Sequence, residues 1–268
     1  MAKIMALHKL YVKKLKQIVK VSGLLPSYVA RRRSAERYLR GEGIEIGALD
    51  HPLAVSPQAK VRYVDYISKS DSAVKHTQLI PDEIVEVDYI DDGFTLASIA
   101  SGTQDFVIAN HVLEHSPDPI GALLNWSRVL KPDGILFFSV PIGEKSFDRG
   151  RRITTVEHLA EDHELCLTGQ QELFHARNLE HYDEYLSVSL VTIRKNLGNP
   201  ALTLLEKAEM LRRFRDEPFT DTHYHVFSVD SLKMIMKYLT TEVDLTLSIV
   251  EFVKSKGGLE YIVVLRKK

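Results

Sequence analysis

From residue 43 onward the apolar positions fall into short β-branched or aromatic runs at 43–47, 61–66, 84–88, 104–110 and 134–140, each bounded by polar or glycine punctuation. Runs of this kind predict strands. Between the last two, Ile120, Leu123, Leu124 and Val129 recur at helical spacing and predict a helix over 118–130. Alternation of strand and helix predicts an α/β fold built on a parallel, doubly wound sheet.

The rhythm breaks at 142–227, a mostly polar stretch with helical patterns at 170–185 and 201–215. It then returns. Ser228 reads as the N-cap of a helix to Leu239, followed by strands at 245–253 and 259–265 joined through Lys256, Gly257 and Gly258. Such a pair predicts an antiparallel hairpin at the sheet's edge. The chain thus divides into N-terminal helices over 1–40, a sheet domain over 41–141 and 228–268, and a mostly helical insertion over 142–227. Within the first part, 4–21 reads as an amphipathic helix, with Leu7, Tyr11, Leu15 and Ile18 on one face and Lys9, Lys13, Lys16 and Lys20 opposite. A second basic helix is predicted over 27–40.

Composition narrows the class. Cys166 is the one cysteine, which rules out an intrachain disulfide and a thiolate zinc site. No apolar run is long enough to span a bilayer, and lysines interrupt every apolar stretch near the N-terminus, so a cytoplasmic location is predicted. Net charge is −1, yet residues 1–40 carry eleven Lys/Arg against one acid, Glu36. That basic end suits peripheral membrane or protein contact through 4–21, although a solvated face is the more ordinary explanation. Without interleaved aromatics it gives nucleic acid little support as a partner.

Ligands of doubly wound sheets bind beyond the carboxyl ends of the strands. The first run ends in Glu45, Ile46, Gly47 and Ala48, where a glycine lets backbone approach a ligand closely. The second ends in Asp65, placed to accept hydrogen bonds from two ribose hydroxyls. That pair alone suits a nicotinamide cofactor equally well. Leu49 and Pro52, however, stand where a pyrophosphate-cradling loop wants small residues.

The run from Asp105 to His115, then Arg128-Val-Leu-Lys-Pro-Asp-Gly134 and Phe137-Phe-Ser-Val-Pro141, resembles the type 11 group of class I S-adenosylmethionine-dependent methyltransferases. The resemblance implies a Rossmann-like seven-stranded sheet with the last strand antiparallel, and S-adenosylmethionine as cofactor. It implies that Glu45, Gly47 and Ala48 form the first motif at the cofactor's amino-acid end. Asp65 would bind the ribose, Asp88 with Tyr89 the adenine amino group, and Asn110 and His111 the methionine moiety. Ala48-Leu49-Asp50 departs from the family, which usually has a second glycine there.

The insertion holds six of the eleven histidines: His158, His163, His175, His181, His223 and His225. Phe147-Asp148-Arg149 with Arg152, Thr154, His158 and Asp162, His181-Tyr-Asp-Glu184 and Thr222-His-Tyr-His-Val-Phe227 resemble methyltransferases associated with bacterial polysaccharide biosynthesis. This implies O-methylation of a sugar or glycan hydroxyl. Such a hydroxyl is a poor nucleophile, so His158, His223 and His225 are the candidate catalytic bases. A metal site from His158, Asp162, His223 and His225 is the lesser reading; with no tight ligand motif, no metal is expected. Alternatives are a methyltransferase acting on a lipid or other small metabolite, and a catalytically silent scaffold of the same fold.

Overall fold

In a computed structural model, residues 26–268 are described except 78, 217–221, 244–245, 256 and 258. The amphipathic segment over 4–21 lies outside them, as do Leu245, Lys256 and Gly258 of the closing hairpin. Seven strands form one sheet: β1 (Gly41–Ile46), β2 (Ala59–Asp65), β3 (Tyr89–Ile90), β4 (Gln104–Asn110), β5 (Leu130–Pro141), β6 (Leu247–Lys254) and β7 (Glu260–Lys267). Their order is β3-β2-β1-β4-β5-β7-β6. The first five pair in parallel, whereas β7 runs antiparallel between β5 and β6. The seven-stranded sheet with an antiparallel closing strand is therefore the expected one.

Side chains alternate across the sheet and feed two cores. On one face Ile44, Ile46, Val107, Ala109, Leu136 and Phe138 meet Leu123 and Trp126 of α3 (Pro119–Val129) and Leu232, Ile235 and Met236 of α8 (Val229–Thr241). On the other, Phe106, Ile108, Phe137, Ile262 and Val264 pack beneath Ala35 of α1 (Pro26–Tyr38) and Leu39 just after it. Each fully buried Val, Leu, Ile, Met or Phe among them contributes roughly 1.5–3 kcal/mol. Asp118 caps α3 by accepting the Gly121 N–H at 2.9 Å, with Pro119 in the first turn. Ser228 and Ser231 form a reciprocal capping box on α8.

Strand three departs from expectation. The run 84–88 is not a strand; a short 3₁₀ turn, Pro81–Glu83, precedes it, and Val85 donates to the Leu49 carbonyl instead of β2. Ladder pairing starts only at Tyr89, opposite Val64. After β2 comes the short helix α2 (Lys69–Lys75).

Between β5 and α8 lie α4 (Val156–Leu167), α5 (Gln171–Glu184), a π-helical turn over Tyr185–Leu190, α6 (Val191–Asn196) and α7 (Leu204–Asp216). Leu159 of α4 joins the main core, while Tyr182, Leu186, Phe214 and Tyr224 form a small core of their own. Among the described residues no helix is long and apolar enough to cross a membrane.

Candidate active site

The carboxyl ends of β1, β2, β4 and β5 and the start of β7 share one edge of the sheet, set by the pairings Ile46–Val64, Ile46–Ala109, Asn110–Ser139 and Pro141–Glu260. Beyond β1 the chain turns sharply. Gly47 has φ +64° and Leu49 φ +50°, a region that favours glycine and strains leucine. A Cβ on Gly47 would meet only Val112 Cγ2, at 3.6 Å, so the space over this turn is open. Glu45 secures the loop from below: both carboxylate oxygens accept the Leu53 N–H at 3.0 Å. Burial pushes the Glu45 carboxyl up to about 7, against the opposing hydrogen bonds from Leu53 and Asn110. Ala48 is buried within the turn, and its carbonyl accepts the His51 N–H.

Asp65 ends β2 and is almost fully buried. Asp88 and Tyr89 lie elsewhere than expected. Asp88 precedes β3, and its Oδ2 accepts the Tyr63 N–H at 2.7 Å, standing in for a ladder carbonyl. The Tyr89 hydroxyl accepts from Arg62. At the tip of β3 stand Asp91 and Asp92 instead. Asp91 accepts from Ser98 N and Oγ, and Asp92 from Phe94 N. Trp126 of α3 anchors this loop by donating to the Gly93 carbonyl at 2.7 Å.

At the end of β4, Asn110 Oδ1 accepts the Ser139 hydroxyl at 3.0 Å. His111 follows in the left-handed region at φ +55°, which marks a locally strained backbone. Its Nε2 lies 2.7 Å from Glu260 Oε2, and its Nδ1 3.3 Å from Glu114 Oε1. Burial alone would lower this imidazole, but its hydrogen bonds to the two carboxylates outweigh it and raise it to about 9. Glu260 is clasped from the other side by Arg31 of α1, whose Nε sits 2.9 Å from Oε1. An Arg31–Glu260–His111–Glu114 chain of charges therefore roofs the exit of β4. Arg31 and Glu260 are absent from the sequence-predicted site because they come from segments remote from β4, and Glu114, three residues after His111, was passed over.

The three candidate bases separate into two groups. A segment over 222–227 runs beside the exit of β5, with Tyr224 and His225 donating their amides to the Glu114 carbonyl. His223 Nδ1 donates to Asp148 Oδ2 at 2.7 Å, and its ring lies 4.7 Å from those of His115 and Phe147. Burial opposes ionisation of Asp148, yet its hydrogen bond and charge interaction with His223 prevail and hold it at about 2. Arg151 is also buried here, bonded to Asp148 Oδ1, the His223 and Tyr224 carbonyls and Glu184. His115 Nδ1 reaches the Thr222 carbonyl at 2.8 Å. His158 and His225 belong to the second group, with Asp162 and His181. The candidate ligand set named from sequence is thus not assembled: His223 stands with Asp148, and His181 takes its place.

Strand order 3-2-1-4-5-7-6 with an antiparallel seventh strand and flanking helices is the class I S-adenosylmethionine-dependent methyltransferase architecture. The family model described as "Methyltransferase domain" matches residues 23–184, well over half of the chain, and the chain belongs to that family. It is a methyltransferase, and its cofactor is S-adenosylmethionine. No curated protein matches in sequence. Among solved structures, similarity extends to a putative zinc-dependent alcohol dehydrogenase from Rhodobacter sphaeroides (16% identity, TM-score 0.49, 87% of this chain and 87% of that one). It extends also to a putative S-adenosylmethionine-dependent methyltransferase from Listeria monocytogenes (11%, 0.48, 93% and 99%). A third is the N-methyltransferase NodS from Bradyrhizobium japonicum WM9 in complex with S-adenosyl-L-homocysteine (11%, 0.41, 94% and 86%).

Proposed function

We propose that the chain O-methylates a sugar or glycan hydroxyl, with His223 as the general base. The observation that carries this reading is the Asp148–His223 pair at 2.7 Å, beside Glu114 at the exit of β4. Of the three candidate histidines, His225 is 1% exposed. His158 is engaged with His181 and Asp162. Only His223 combines an orienting carboxylate with a place next to the strand-four exit.

The open turn at Gly47 and the acid at Asp65 fit an adenosyl ligand that needs no phosphate cradle. Gly47 and Ala48 would line its amino-acid end, Asp65 its ribose, and Asn110 and His111 its methionine part, with Asp91 or Asp92 replacing Asp88 at the adenine. When bound, the cofactor supplies a methyl group already activated on sulfonium. The chain's task is to hold the acceptor oxygen in line with it, which is where most of the rate enhancement can arise. His223 Nε2 would take the proton of the acceptor hydroxyl as that oxygen accepts the methyl group the cofactor would supply, the neutral thioether being the leaving group. Asp148, ionised throughout the physiological range, accepts from Nδ1–H and stabilises the resulting imidazolium. Phe147 covers the ring, so an acceptor has to displace it.

Labelled-methyl transfer to a panel of nucleotide sugars and short glycans tests the acceptor class, and transfer only to lipids or other small metabolites would refute it. His223→Gln should lower kcat by about 10²–10⁴ while leaving the cofactor Kd unchanged. Full turnover in that variant would remove His223 from the mechanism.

A further inference from the structure

A second cluster lies behind the proposed base, and the reading of the acceptor does not use it. His158 and Asp162 are four apart on one face of α4, His181 projects from α5, and His225 comes from the 222–227 segment. One ligand atom from each lies within 4.8 Å of all the others. His158 Nε2 is 2.9 Å from His181 Nε2 and 3.2 Å from Asp162 Oδ2, which is 3.7 Å from His181 Nε2. A tetrahedral ion with bonds of about 2.0 Å spaces its ligands about 3.3 Å apart. The three measured edges bracket that figure.

The polar bookkeeping points the same way. Asp162 is 0% exposed, and its Oδ2 completes no hydrogen bond. His225 is 1% exposed, and the Pro117 carbonyl is the one acceptor its ring faces, which leaves the other ring nitrogen without a hydrogen bond. Buried groups of this kind are normally satisfied, and leaving one unmade is expensive. Two imidazole Nε2 atoms facing each other at 2.9 Å need either a shared proton or a cation between them.

We propose that His158, Asp162, His181 and His225 form a binding site for a divalent transition-metal ion, zinc being the best match to three imidazoles and one carboxylate. Arg177 Nε donates to Asp162 Oδ1 at 3.0 Å, which holds the carboxylate with Oδ2 toward the three imidazoles. Ligation through Nε2 leaves the His158 proton on Nδ1, now 3.0 Å from Arg177 Nη2. That guanidinium, which here faces Nδ1, would then have to turn toward Glu161, already its ion-pair partner. The ion would tie α4 and α5 to the segment whose Tyr224 and His225 amides hold the Glu114 carbonyl and which carries His223.

The full chain, stripped with chelator and dialysed, should be titrated with Co²⁺ and followed by visible absorption. Intense d–d bands of a four- or five-coordinate ion should saturate at one equivalent and vanish on addition of Zn²⁺. His181→Ala and Asp162→Asn should each weaken this binding by about 100-fold or more. His175→Ala, on the face of α5 that packs against Phe214 and outside the cluster, should bind as the wild type does. Absence of the bands in the wild type would establish a shared proton in place of an ion and overturn the proposal. Their persistence at full affinity in both His181→Ala and Asp162→Asn would overturn it equally.

Discussion

His111 concentrates much of what individual residues do here. Its imidazole stands at about 9 in the folded chain against an ordinary 6.5. A group raised in this way stabilises the fold fully below its unfolded value, and the contribution disappears as pH climbs through the folded one. Urea midpoints should therefore decline between about pH 6.5 and 9, and His111→Asn, which tolerates the same left-handed backbone, should flatten that decline. Asp148 gives a larger effect. Removing it in Asp148→Ala leaves the buried Arg151 guanidinium with Glu184 as its remaining carboxylate and strips Ser189 and His223 of their acceptor, which should cost about 3–5 kcal/mol in denaturant unfolding. At this scale the sequence disclosed residues that close a strand, such as Gly47, Asp65, Asn110 and His111, because strand ends are readable from local pattern. Glu260 was hidden because its partner Arg31 lies 229 positions away. Only the antiparallel placement of β7 brings them together.

Elements were legible where hydrophobic periodicity and punctuation agreed. The helix over Pro119–Val129, capped by Asp118, and the one over Val229–Thr241, capped by Ser228, follow the pattern almost residue by residue. Strand three did not, since the apolar alternation over 84–88 serves contact with the loop after β1, and Asp88 replaces a ladder carbonyl with its side chain. That shift moves the acidic tip from Asp88 to Asp91 and Asp92. His181 was missed for another reason. His158 meets His181 while Asp162 meets Arg177, so α4 and α5 pair in opposite directions across their short connection. Reading the two helices as a hairpin, and not by linear ligand spacing, would have exposed the cluster. The 222–227 segment is fitted as tightly to the exit of β5: a Cβ on Gly143 would come within 2.2 Å of Val226 Cγ1. Gly143→Ala should cost about 1–3 kcal/mol and depress turnover more than cofactor affinity, as equilibrium unfolding and steady-state kinetics on one preparation would reveal. Equal losses in both would argue against this segment carrying the base.

For the whole molecule, two cores on opposite faces of one twisted sheet leave a single edge where five strand ends meet, and the charged chain from Arg31 to Glu114 lies along it. The doubly wound sheet was foreseeable because a core of this size dictates a repeating apolar period. The acceptor-facing arrangement was less so, because 142–227 fixes its polar groups through contacts between segments, not through any period. The claim on which everything turns is that the strand tips grip the adenosyl cofactor. Calorimetric titration of the full chain with S-adenosylmethionine tests it directly. One molecule should bind per chain, and Asp65→Ala, losing hydrogen bonds to a carboxylate worth about 1.5–3 kcal/mol, should weaken binding about 10- to 100-fold. No heat of binding in the wild type, or an unchanged affinity in Asp65→Ala, would contradict it.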